Sequence, residues 1–184
     1  MTFTALFERC AAGDRTLFLR LAPPRTSVLG RAWNRVASRL ADGPYYVLPP
    51  LVAWWVGAPG AVGFAICLAM GFALELPAYK WIKHTCKRPR PCHADLDRIN
   101  LLPVPDQYSF PSGHTAGAFV LAGSVLGFYP VFAPWAILFA LSVGYSRVYN
   151  RLHFPLDILA GALLGGFCAA VAGSLFTLIS GGLS

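Results

Sequence analysis

Residues 115–146, TAGAFVLAGSVLGFYPVFAPWAILFALSVGYS, hold no charged side chain. About twenty apolar residues cross a bilayer's hydrocarbon layer as a helix, so this stretch is too long for one crossing and suits two. Gly127 to Pro134 supply the turn residues that join them. The expected element is a helical hairpin in lipid. Downstream, after the polar island Arg147 to His153, residues from Phe154 onward carry one charge, Asp157, and predict a last helix. Upstream, Lys83 to Gln107 is polar and proline-rich, which places it outside the bilayer core. Before it, Ala61 to Tyr79 is apolar except for Glu75 and runs into the basic segment Lys80 to Arg90, as a further span would. Gly43 to Gly57 is uncharged but short for a crossing, and Ala58, Pro59 and Gly60 close it with a turn.

Met1 to Asp42 differs from the rest. Seven arginines alternate with Leu, Phe, Val and Trp, and Pro23 and Pro24 split the segment in two. Such a stretch lies in the headgroup layer with its arginines toward phosphates. Glu8, Arg9, Asp14, Arg15 and Arg20 leave no unbroken apolar run of the kind a signal peptide requires, so no cleaved leader is expected. The expected fold is therefore all-α: an integral membrane helical bundle of about five transmembrane helices with an N-terminal amphipathic interfacial arm. It forms one domain over residues 1–184, with the arm at 1–42 and the bundle at 43–184.

Composition agrees with that reading. Apolar residues make up 56% of the chain and charged residues 12%, about half the charged share of a globular protein. A net charge of +7 on a soluble surface would suggest nucleic acid, but beside long uncharged runs it suits an anionic lipid or phosphate. The expected partners are the bilayer and a lipid phosphate, with no nucleic acid. Five spans put the arm, the 80–107 loop and the 147–153 island on one side, and these hold all 15 lysines and arginines. The five cysteines form no zinc-like cluster; Cys86 and Cys92 alone lie close together.

Three polar clusters fall at helix ends on that charged side. Lys83 is followed after six residues by Arg90 and Pro91; Pro111, Ser112, Gly113 and His114 form the second; Ser146 and Arg147, then His153 and Asp157, form the third. Lys83, Arg90 and Arg147 are cations for phosphate oxygens, and the arginine fork matches phosphate geometry. Ser112 and Gly113 open a helix whose free N–H groups face an anion. His153 and Asp157 are four apart on one helix face, so the carboxylate can hold one ring nitrogen and direct the other at phosphorus. His153 is thus expected to be the nucleophile. His114 has no carboxylate at such spacing and is expected to protonate the leaving oxygen. Fixed cations of this kind create no demand for a metal.

At these residues the sequence resembles the type 2 phosphatidic acid phosphatase superfamily, matching its three-part signature in order and spacing from about Ala61 onward. The resemblance implies a phosphohistidine on His153, protonation by His114 and orientation of His153 by Asp157. It implies phosphate binding by Lys83, Arg90, Ser112, Gly113 and Arg147, with no metal or other cofactor. Larger members have six spans; here the first is replaced by the arm, a layout similar to compact bacterial members that act on undecaprenyl diphosphate. The implied activity is a phosphatase or diphosphatase acting on a membrane lipid such as undecaprenyl diphosphate, phosphatidylglycerophosphate or phosphatidic acid. A lipid phosphotransferase and a catalytically silent lipid-binding protein are the alternatives.

The remaining polar residues have plainer readings. His84 and His93 read as interfacial side chains, and Lys80, Lys87 and Arg88 as snorkelling cations. Trp54, Trp55, Trp81 and Trp135 sit near span ends, where aromatic belts form. Glu75, well inside a span, is expected to pair with a cation near the site or with a structural partner. The positive-inside rule places the charged face in the cytoplasm, whereas the resemblance to bacterial relatives implies the periplasmic face of the inner membrane; the expectation leans to the latter, where Cys86 and Cys92 can form a disulfide. The oligomeric state leaves no mark on the sequence.

Overall fold

The computed structural model describes residues 3–22, 28–91 and 106–181. Among them are seven helices: α1 (Phe3–Leu21), α2 (Val28–Leu40), α3 (Leu48–Trp55), α4 (Ala61–Cys86), α5 (Gly113–Phe128), α6 (Ala133–Tyr149) and α7 (Pro155–Gly181). Among the described residues the only β pairing is an isolated bridge between Pro89 and Tyr108. Among the described residues three segments are long and apolar enough to cross a membrane, Ala61–Cys86, Pro130–Tyr149 and Pro155–Gly181, and Gly113–Phe128 is a shorter apolar helix. The chain is a membrane-spanning helical bundle, as its apolar runs predict.

The expected first span takes a different form. Residues 43–47 make a 3-10 turn and α3 has eight residues, a rise of about 12 Å, too short to cross a hydrocarbon layer. Proline explains this: Pro44, Pro49 and Pro50 lack the N–H a continuous helix would need and fit only the opening turns of short ones. The segment still travels the length of α5. Asp42 touches His114 at the head of α5, and a Cβ on Gly60 would meet Phe128 at its tail, 3.4 Å away. Gly60 has φ +75, a left-handed conformation suited to glycine at the start of α4.

Close approach of α5 and α7 sets the geometry of the charged end. A Cβ built on Gly161 falls 2.5 Å from the Ser112 carbonyl oxygen, and one on Gly165 collides with the Ala116 carbonyl. Only glycine permits this backbone contact, the small-residue packing by which helices associate in lipid. It lets Ser112 N–H donate to the Asp157 carbonyl at 3.0 Å, tying the heads of the two helices together. Phe64, Leu68, Val120, Leu121, Val125 and Cys168 fill the core beneath. Trp54, Trp55, Trp135, Leu163, Phe167 and Leu178 point outward, which lipid rather than water makes favourable.

The arm is helical in two pieces, and α2 exposes Trp33, Val36 and Leu40 as one apolar stripe beside Arg35 and Arg39, the pattern of a helix seated at an interface. Its other face does more than lie on a headgroup layer. Ala37, Ser38 and Ala41 are buried against the bundle, and Phe18 of α1 stacks edge-on against Phe154 at 5.3 Å.

Candidate active site

The third cluster is built by a short loop between α6 and α7. Leu152 N–H donates to the Arg147 carbonyl at 3.0 Å, which folds His153 inward until it is 2% exposed. Its Nδ1 lies 2.7 Å from the Ser109 carbonyl, and its Nε2 lies 3.2 Å from Arg90 Nη1. A carbonyl oxygen only accepts, so Nδ1 carries the proton and Nε2 presents its lone pair toward the guanidinium. Burial, first of all, pushes the His153 pKa down to about 3; the Arg90 and Arg147 charges add to this and Asp157 opposes it. The imidazole is neutral across the physiological range.

Asp157 does not hold His153 as spacing alone suggests. Its Oδ2 is 3.7 Å from Nδ1, beyond hydrogen-bond reach. That oxygen accepts from Phe154 N–H at 2.8 Å, while Oδ1 accepts from Arg88 at 2.7 Å. Asp157 therefore fixes the loop bearing His153 and lies near the ring as a counter-charge. Arg88 is no snorkelling cation. It bridges Asp157 and Asp14, the latter at 2.6 Å, and lies over the Phe154 ring at 4.3 Å. Asp14 in turn accepts from Leu156 N–H at 2.9 Å.

The cations gather where the motifs predict. Arg90 is 1% exposed and is held by the Leu152 carbonyl at 2.9 Å and by Asp106, whose carboxylate accepts from it at 2.6 Å and from Lys83 at 2.8 Å. Burial raises the Asp106 pKa, but these two cations outweigh it and hold the carboxyl below the usual range. Arg147 is buried and its Nη1 donates to Ser38 Oγ of α2, while its Nε has no hydrogen-bond partner among the described residues. A buried guanidinium N–H without a partner is costly unless an anion meets it.

Ser112 caps α5, its Oγ accepting from Thr115 Oγ1 at 2.9 Å and from Thr115 N–H at 3.5 Å. Gly113 sits against the Tyr79 ring, where a Cβ would be 3.1 Å from it. His114 is half-buried, and its Nε2 lies 2.9 Å from Asp42 Oδ1. His114 thus has a carboxylate partner after all, from the arm rather than from its own helix. The two imidazoles share one end of the bundle: the Arg147 charge acts on both, Lys83 on His114 and Arg90 on His153.

All eight sequence-predicted residues, Lys83, Arg90, Ser112, Gly113, His114, Arg147, His153 and Asp157, stand at this end. Sequence reasoning missed Asp14, Ser38, Asp42, Arg88, Asp106 and Ser109. Glu75 has no ion-pair partner among the described residues, so its expected cation is not there. His84 is exposed, in keeping with an interfacial role. His93 and the Cys86 to Cys92 pairing fall on or reach into residues 92–105, outside the described residues.

Chemically, the arrangement offers a neutral imidazole nitrogen aimed at a cluster of fixed cations and a second imidazole at the head of a helix. The chain is similar to an undecaprenyl-diphosphatase of Sulfolobus acidocaldarius, 30% identical over 129 residues that cover 68% of this chain and 61% of that protein. A lipid A 1-phosphatase of Rhizobium etli is 32% identical over 121 residues, covering 62% of this chain and 49% of that one. The chain thus spans less than two thirds of the length of these relatives. The crystal structure of Aquifex aeolicus LpxE superposes with TM-score 0.70 at 31% identity, over 85% of this chain and 92% of that one. A phosphatidylglycerolphosphate phosphatase from Bacillus subtilis shares the fold, with TM-score 0.69 at 18% identity over 91% and 86%. The match to the PAP2 superfamily runs over residues 58–178, from the turn before α4 almost to the end of α7 and through all three polar clusters, and the chain is a member of that superfamily.

Proposed function

We propose that the protein is a lipid phosphate phosphatase or diphosphatase working through a phosphohistidine on His153. The observation that carries this is the orientation of that ring: Nδ1 is spent on the Ser109 carbonyl at 2.7 Å, which leaves Nε2 unprotonated beside Arg90. Nε2 attacks phosphorus, the ester P–O bond breaks, and His114 donates a proton to the departing oxygen. The ring gains positive charge in this step, and Asp157 at 3.7 Å and the Ser109 carbonyl stabilise it. Water, deprotonated by His114, then attacks the phosphohistidine, releasing phosphate and restoring both rings. Lys83, Arg90 and Arg147 hold the nonbridging oxygens, with Arg147 Nε available to one of them. Asp42 orients His114.

Membership of a superfamily whose relatives are named as phosphatases of lipid phosphates supports the substrate class. Undecaprenyl diphosphate, phosphatidylglycerophosphate and phosphatidic acid are the members of that class to test first. Purified protein in detergent, with chelator present, is expected to release phosphate from at least one of them, and His153→Ala to abolish release. Release from none of them would favour a silent lipid-binding protein, equal release by the variant would rule out His153 as the nucleophile, and lipid consumed without matching free phosphate would favour a phosphotransferase.

The site is assigned to the periplasmic face of a bacterial inner membrane on the resemblance to compact bacterial members, whereas the lysine and arginine count favours the cytoplasmic face. A membrane-impermeant thiol reagent applied to intact spheroplasts after a membrane-impermeant reductant, which opens any Cys86–Cys92 disulfide, decides: labelling of the exposed Cys86 puts the site outside, and protection until lysis puts it inside.

A further inference from the structure

Beneath His114 lies a cavity of about 240 Å³ that the mechanism above does not use. Asp42, Tyr46, Tyr79, Gly113 and His114 line it, with Glu75 of α4. Glu75 is 1% exposed, and among the described residues its Oε1 has no hydrogen-bond partner and it forms no ion pair. An acid inside a membrane bundle is costly, and a buried oxygen without a partner adds to that cost. Two nearby donors are committed elsewhere. The Tyr46 hydroxyl is directed at the His114 carbonyl at 3.5 Å, and Lys83 lies over the Tyr79 ring and on Asp106.

Depth identifies what this oxygen meets. Glu75 precedes Lys83 by two turns of α4, about 12 Å along the helix axis, toward the bilayer interior. On α5 the wall at this level is Gly117, where a Cβ would be 3.2 Å from Phe72 and 3.3 Å from Tyr46. The cavity therefore lies on the acyl side of the group that protonates the leaving oxygen, where the carbons attached to that oxygen must extend. We propose that Glu75 accepts a hydrogen bond from an O–H or N–H on the leaving alcohol, within a few bonds of the scissile ester. Glu75 is then a specificity-determining residue. Lipid phosphates with a hydroxyl or ammonium beside the ester are preferred over those whose alcohol is a plain hydrocarbon chain, since a site built for a donor is left with an unpaired oxygen when none arrives.

This rests on the phosphatase reading above. The test uses the whole chain in mixed micelles and measures phosphate release from three lipids of equal chain length. Lysophosphatidic acid carries a hydroxyl on the carbon next to the ester-bearing one, sphinganine 1-phosphate an ammonium there, and an acyloxypropyl phosphate neither. Wild type is expected to show kcat/KM at least about tenfold higher for the two donor-bearing lipids than for the third. Glu75→Leu brings both ratios near one, and Glu75→Gln keeps part of the hydroxyl preference while losing the ammonium preference. Equal rates on all three by wild type overturn the proposal without any variant needing to fold. Ratios that survive Glu75→Leu also overturn it, and where the rates themselves fall by an equal factor on all three lipids the residue acts in proton supply or structure instead. Absence of release from every lipid phosphate would overturn the phosphatase reading and this proposal together, whereas release without preference overturns only this one.

Discussion

Asp42 Oδ1 lies 2.9 Å from His114 Nε2, joining the last residue before the 3-10 turn to the head of α5 across 72 positions of sequence. The arm thus supplies a carboxylate to the group proposed as general acid. Asp42→Asn is expected to lower kcat by about tenfold with little change in KM, and His114→Ala to lower it by about 10² to 10⁴. An aryl phosphate, whose leaving group needs no proton, would show a smaller loss in both. A loss of equal size on aryl and alkyl esters would contradict the assignment of an acid role.

Arg88 stands between two buried carboxylates, Asp14 at 2.6 Å and Asp157 at 2.7 Å. Its removal leaves both acids unpaired, whereas removal of Asp14 leaves Arg88 with Asp157. Breaking a buried ion pair costs about 3 to 5 kcal/mol, so Arg88→Met is expected to lower the melting temperature in detergent more than Asp14→Asn. Adding Asp14→Asn to Arg88→Met should cost less than it does alone, since the pair is already broken. Additive losses would count against a shared network.

Neighbouring glycines on α7 give a sharp contrast. A Cβ on Gly165 collides with the Ala116 carbonyl, while one on Gly166 meets nothing within 4 Å. Gly165→Ala is expected to separate α5 from α7, loosen the Ser112 to Asp157 bond and cost most of the activity. Gly166→Ala should retain activity and stability. Phosphate release and thermal melts of the two variants check this.

Burial, together with Arg90 and Arg147, depresses the His153 pKa to about 3 from an ordinary 6.5. Between those values the unfolded chain binds a proton there that the folded chain does not, so stability rises with pH across this window. The contribution is fully present above about pH 6.5 and is lost as the pH falls toward about 3. Melting temperature should decline from pH 7 to pH 4, and His153→Gln should flatten the decline. Parallel curves for the two proteins would contradict the buried, neutral imidazole.

Much of this was legible in the sequence because lipid imposes simple rules. Uncharged runs of sufficient length had to be spans, and clusters such as Lys83 to Arg90 and Arg147 to Asp157 had to sit at their ends. The short form of α3 was harder to foresee, since hydropathy measures how greasy residues 43–57 are and only their prolines say that they cannot stay helical. Asp14, Ser38 and Asp42 were illegible for another reason: their partners Arg88, Arg147 and His114 lie 74, 109 and 72 positions away, and no local period reports such pairing. Spacing was also misleading at Asp157, where four residues from His153 promised a hydrogen bond that the Ser109 carbonyl makes instead.

The most direct test is to trap the intermediate. Protein incubated briefly with a lipid substrate carrying labelled phosphate, then quenched in alkali, is expected to retain label in an acid-labile, alkali-stable linkage that maps to His153 and is absent from His153→Ala. Label on any other residue, or wild-type turnover with no labelled protein at any quench time, would contradict nucleophilic attack by His153.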